Sequence, residues 1–187
     1  MASSQKTVDF HLQCWEKNPL TKDFAITGTI GLLKANSPRP LLELDWHLSG
    51  PVKKIIFPKN AKPARKDDLW KMTCVEIFAG GPHEAYWEYN LSPSSQWAVY
   101  HFDRYRKDQT RPEIAAPRVI RQKYESTAVH FKFQVDLGNR EIPECLGITT
   151  VLEHESGELS YWALTHTSTR PDFHQRNSFV ISADQLV

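Results

Sequence analysis

Between residues 84 and 92, Glu84, Tyr86, Glu88, Asn90 and Ser92 recur at every second position. Alternate side chains of a strand share a face, so two carboxylates, a phenol, an amide and a hydroxyl stand in one row. The intervening Ala85, Trp87, Tyr89 and Leu91 are apolar and suit packing. A second run, Thr73 to Ala79, alternates Val75 and Ile77 with Cys74, Glu76 and Phe78. If the two strands are neighbours, Glu76 and Glu88 share one face. Two carboxylates that close need a cation, a hydrogen-bond donor or solvent to answer them. A wetted outer sheet supplies solvent. A polar groove instead uses Glu76 and Glu88 as acceptors, Asn90 as donor and acceptor, and Arg104 as donor. That inventory suits the hydroxyls of a sugar, whose apolar ring face stacks on an aromatic side chain. Trp70, between a charged loop and a strand, is the first candidate ring. Trp162, which shares strand parity with Ser160 and His166, is the second. Trp46 and Trp87 stand on packing parities and are expected in the core.

Other chemistries find less in the residues. His166 and His174 bracket Asp172, and with His101 or Glu76 they could compose a metal or acid–base site. No His-x-x-x-His or H-E-x-x-H spacing accompanies them. A Pro171–Asp172 turn with His174 hydrogen-bonded to backbone accounts for the same residues. Paired carboxylates can hydrolyse a glycosidic bond at a suitable separation, which sequence alone does not give. Met72, the single internal methionine, is the one thioether available to haem iron. Neither G-x-S-x-G nor a glycine-rich phosphate loop is present. The cofactor is left unknown.

The elements that must position these groups read almost entirely as strands. Val8, Phe10 and Leu12 alternate with polar residues in Thr7 to Trp15. Phe24 to Leu33, Leu41 to Leu48, Lys53 to Phe57, Thr73 to Ala79, Glu84 to Leu91 and Trp97 to Tyr105 follow. Val119 to Tyr124, Ala128 to Leu137, Leu146 to His154, Glu158 to His166 and Phe179 to Ser182 complete the series. Asn36 to Pro40 is a turn, Pro58 to Lys66 a basic loop, and Asp108 to Pro117 a loop broken by prolines. No run of about ten residues carries a 3.6-residue apolar period. About ten evenly spaced strands with polar turns imply an all-β fold, an antiparallel β-sandwich or barrel.

The composition fits. The 187 residues suffice for one domain, taken as 1–187, with a core that needs no disulfide or metal. Lys+Arg 23 against Asp+Glu 22 leaves a net charge of +1, without the basic excess of a nucleic-acid binder. No apolar run reaches the roughly 18 residues of a membrane span. The first ten residues lack a signal-peptide core, so a cytoplasmic location is expected. Cys14, Cys74 and Cys145 form no C-x-x-C pair, which argues against a disulfide framework or zinc knuckle.

Taken in order, several short motifs carry a resemblance. They are Asp67-Asp68-Leu69-Trp70, Thr73 to Phe78, Tyr86-Trp87-Glu88-Tyr89-Asn90-Leu91-Ser92-Pro93 and Trp97-Ala98-Val99-Tyr100. Tyr161-Trp162-Ala163-Leu164 and Pro171-Asp172-Phe173-His174 follow. As an ordered set they resemble DOMON-like proteins, relatives of family 9 carbohydrate-binding modules, and their small bacterial single-domain branch. The resemblance implies a jelly-roll-like β-sandwich that binds a saccharide between two rings. By position it implies Trp70 as the first ring, Glu76 as the strand carboxylate, Asn90 as the amide and Trp162 as the second ring. Arg104 is placed by role alone. Haem-binding relatives imply a Met/His pair, for which Met72 is the available thioether. Against the sugar-binding pattern, a domain that stands without a catalytic partner or an export signal is expected. The expected partner is a small saccharide or other small molecule, with neither nucleic acid nor membrane.

Overall fold

A computed structural model describes residues 6–33, 39–138 and 142–186. Of the turn expected at 36–40, residues 36–38 lie outside the described residues. The strands in chain order are β1 (Thr7–Cys14), β2 (Ala25–Leu33), β3 (Leu41–Ser49), β4 (Ala64–Arg65), β5 (Cys74–Gly80) and β6 (Tyr86–Leu91). They continue as β7 (Gln96–Phe102), β8 (Arg118–Tyr124), β9 (Ala128–Asp136), β10 (Cys145–Glu153), β11 (Leu159–Ala163) and β12 (Ile181–Ser182). The all-β expectation holds: among the described residues the only helices are single 3-10 turns. Among the described residues no helix is long and apolar enough to cross a membrane.

The strands hydrogen-bond in the order β4-β7-β6-β5-β10-β11-β1-β2-β3-β9-β8, with β12 on β10, and this one sheet curls into a half-barrel. Its two limbs meet at β1, which pairs with β2 over six positions and with β11 only at Gln13↔Ala163 and Cys14↔Trp162. All pairings are antiparallel except β4 with β7.

Alternation explains the first limb. In β3, Leu42, Leu44, Trp46 and Leu48 are buried while Glu43, Asp45 and His47 are half-buried on the other face. In β9, Val129, Phe131, Phe133 and Val135 repeat the pattern, with Trp46 opposite Phe131 and Leu44 opposite Phe133. Each such side chain contributes about 1.5–3 kcal/mol by leaving water. The outward row is ion-paired: Lys132 reaches Glu43 at 2.9 Å and Asp45 at 3.5 Å. The flanking strand β8 is far less covered, with Ile120 46% and Tyr124 51% exposed.

The second limb is covered on both faces. Val75, Ile77 and Ala79 of β5, Tyr89 and Leu91 of β6, and Leu146 and Ile148 of β10 enter the shared core. Across it the Trp46 indole donates to Thr150 Oγ1 at 3.0 Å. The opposite face carries a second cluster, which includes Cys74, Phe78, Tyr86, Tyr100, Phe102 and Phe179. Gly147 permits this. A Cβ there would meet the Phe179 ring at 2.7 Å, so its bare backbone lets that ring lie on the sheet.

One expected strand fails. Val52–Lys54 is a 3-10 turn after Pro51, and only Ile55 bridges to His154. Pro51 has no N–H to give a ladder. The basic loop instead supplies β4, whose Arg65 lies over the Trp97 ring at 4.7 Å and donates to the carbonyls of Val99 and Pro112.

Candidate functional site

The outward face of the second limb forms the floor of a cavity of about 740 Å³, within the size range of small-molecule sites. Register builds that floor. Glu76 pairs with Asn90, Phe78 with Glu88, and Glu88 in turn with Tyr100. Opposed residues in antiparallel strands point to the same side, so the acid and amide row faces the same way as Phe78, Tyr100 and Phe102. Thr149 and Val151 of β10 and Tyr161 of β11 extend it. The walls are loops: Asp67 to Trp70 on one side, Arg106 to Arg111 and Arg170 to His174 on the others.

Both floor acids are buried, Glu76 2% and Glu88 6% exposed. Each has one oxygen held by the protein. Thr149 Oγ1 donates to Glu76 Oε2 at 2.8 Å, and Asn90 Nδ2 donates to Glu88 Oε1 at 2.7 Å. Burial, and then the neighbouring Glu88 charge, push the Glu76 carboxyl up to about 8. Burial also raises Glu88, against the pull of Asn90 and Arg106. Near neutral pH the pair therefore holds a proton in addition to its charge.

His174 stands over Glu88, its Nε2 3.8 Å from Glu88 Oε2. Its Nδ1 lies 2.8 Å from the Tyr86 hydroxyl, which accepts from the Arg106 backbone N–H at 3.1 Å. Burial lifts the Tyr86 phenol to about 12, and burial with the Arg106 charge draws His174 down to about 3. Phenol and imidazole are therefore both neutral, and they share one hydrogen bond between Oη and Nδ1 while Nε2 faces Glu88. Phe78 and Phe102 set the ring edge-on at 5.2 and 5.3 Å.

The roof is tied by Asp172. Its carboxylate accepts from Tyr105 Oη at 2.6 Å, Arg106 Nη2 at 3.1 Å, Gln175 Nε2 at 3.0 Å and the His174 N–H at 3.2 Å. Burial works against that charge, but these donors outweigh it and hold the carboxyl well below its usual range. Asp67 fastens the opposite wall, accepting from Tyr100 Oη at 2.7 Å and pairing with Arg111 at 3.0 Å.

The expected site residues divide. Trp70, Glu76, Glu88 and His174 line the cavity, and Trp70 is 46% exposed at its mouth. Tyr86 and Asn90 lie behind them as supports of His174 and Glu88. Three placements correct the sequence reading. Trp162 is 2% exposed in the core and donates to Ser160 Oγ. It pairs with Thr150, on the parity opposite the cavity, and the ring on the cavity side is its neighbour Tyr161. Arg104 turns outward to Asp108 at 3.2 Å, and from this turn it is Arg106 that lines the cavity, with Arg111 and Arg170 from the neighbouring walls. His166 bonds the Gln13 carbonyl and stands edge-on to Trp15. His101 packs on Trp87, and neither histidine lines the cavity.

The alternative chemistries gain little geometry. Among the described residues no group of three or more His, Cys, Asp or Glu is placed to hold a metal ion. Met72 packs against the second apolar cluster. The sequence reading also missed Asp67, Tyr100, Tyr161 and Phe173. Tyr100 could have been found by its parity; the others sit where alternation ends or gives no phase.

No described protein family matches the chain, and no curated protein matches it in sequence. In fold it is similar to a "putative carbohydrate-binding protein" from Bacteroides uniformis. The TM-score is 0.56 at 10% identity, over 92% of this chain and 84% of the other. That likeness is one of fold.

Proposed function

We propose that this chain is a non-catalytic, carbohydrate-binding-like module that takes a small sugar or glycoside into the cavity of its second limb. In this reading residues 1–187 act as one domain, and the curled sheet is a variant of the jelly-roll-like DOMON and family 9 sandwiches. The observation that carries the reading is Trp70, an indole left 46% exposed at the mouth of a cavity floored by two buried carboxyls. An exposed indole offers a face to a pyranose, and the free carboxyl oxygens accept from hydroxyls. The fold likeness to a protein described in similar terms supports it.

Titration calorimetry against mono- and disaccharides tests the proposal. Trp70→Ala should weaken saccharide binding by about tenfold or more, the loss of one stacked ring, without moving the unfolding midpoint. Flat titrations across the whole panel with wild-type protein would overturn it.

A further inference from the structure

The charges around the cavity do not balance locally at its floor. Arg106 is matched by Asp172 at 3.1 Å, Arg111 by Asp67 at 3.0 Å, and Lys71 by Asp68 at 3.2 Å. Arg170 is exposed at the rim. Among the described residues no cationic side chain makes a hydrogen bond to Glu76 or Glu88, and the neutral His174 stands 3.8 Å from Glu88. Two carboxyls buried side by side are costly; here the Arg106 charge acts on both but is itself paired to Asp172, and each acid keeps one oxygen, Glu76 Oε1 and Glu88 Oε2, without a protein side chain hydrogen-bonded to it. Phe78, Phe102, Tyr161 and Phe173 line the same cavity. Acids at the bottom and ring faces at the sides form the setting that stabilises an organic cation. A hydroxyl offers one hydrogen and no charge, whereas a primary ammonium offers three donors and the missing positive charge.

We propose that the saccharide taken by this cavity is an amino sugar, its ammonium held between Glu76 and Glu88 and its ring under Trp70. The inference rests on the saccharide reading and adds the ligand's charge to it. An inorganic cation fits less well. Among the described residues no group of three or more His, Cys, Asp or Glu is placed to hold a metal ion.

The test is calorimetry at neutral pH with glucosamine, N-acetylglucosamine, glucose and the sugar-free amine cyclohexylamine. Glucosamine should bind at least ~10-fold more tightly than the two neutral sugars, the scale of one charge-assisted contact pair. In Glu88→Gln, and separately in Glu76→Gln, that preference should fall to about twofold or less while glucose still binds. Either variant that retains its thermal transition suffices, and both replacements are close in size to the acid. Equal affinity for all three sugars overturns the inference and leaves the saccharide reading standing. Binding of cyclohexylamine with no sugar overturns both. Saturable binding of calcium chloride that displaces glucosamine assigns the floor to a metal ion and overturns the inference.

Discussion

Asp172 shows how much one side chain can organise. Its two oxygens gather a phenol, a guanidinium, an amide and a backbone N–H from two wall segments. Removing a buried acceptor of this kind strands its donors, and Asp172→Ala is expected to cost about 3 kcal/mol, read as a lower urea midpoint. Asp172 and Glu76 respond to pH with opposite signs. The carboxyl of Asp172 is depressed by folding, so its contribution is complete above the unfolded value of about 4 and is lost as pH falls below it. Glu76 is raised to about 8. The folded state therefore binds the extra proton, and stability declines as pH rises from about 4 toward that value. His154 and His174 are both lowered by burial, so their contribution grows with pH and is complete above about 6.5. Between about 6.5 and 8 the raised Glu76–Glu88 pair dominates, Glu88 acting with the same sign. Urea midpoints should fall across that window in wild type and fall less steeply in Glu76→Gln. A level wild-type profile would contradict the buried, protonated floor.

Individual strands explain both what the sequence disclosed and what it withheld. β3 and β9 were readable because each alternates cleanly, Leu42 to Leu48 against Glu43 to His47 and Val129 to Val135 against His130 to Gln134. β6 was readable on its chemical face for the same reason. β11 was not, because Tyr161 and Trp162 are adjacent rings, and a one-residue change of phase exchanges wall for core. Arg104 and Arg106 flank Tyr105 in a tight turn, where Arg106 adopts φ +51°. No period runs through such a turn, so residue type alone could not choose the cation. The roof is likewise loop, assembled by contacts between segments more than 60 residues apart. At Gly28 of β2 the demand is steric. A Cβ there would lie 2.0 Å from the Asp45 carbonyl oxygen and 2.6 Å from the Phe10 ring. Gly28→Ala must push β3 away and is expected to cost about 3 kcal/mol or more, measured by chemical denaturation. A loss under about 0.5 kcal/mol would mean that the β2–β3 contact is looser than described.

Across the whole molecule the limbs divide their labour. The first contributes its inner face to the core, and its outer face carries the ion-paired row of Glu43, Asp45 and Lys132. The cavity belongs to the second. Lys132→Ala is therefore expected to leave saccharide affinity unchanged and to cost at most about 1 kcal/mol, as partly exposed ion pairs do. A change in affinity would show that the limbs communicate. The half-barrel also stops short of closing, and its last strand, β8, offers a free backbone flank among the described residues. Such flanks invite a second copy to extend the ladder. Arg118, Arg121 and Lys123 stand on this one, exposed, so two molecules approaching flank to flank meet cation with cation. Mutual repulsion of this sort fades with ionic strength as the screening length shrinks to about 10 Å at 0.1 M. Charge thus opposes flank-to-flank pairing of two copies in dilute buffer, and concentrated salt relieves that opposition.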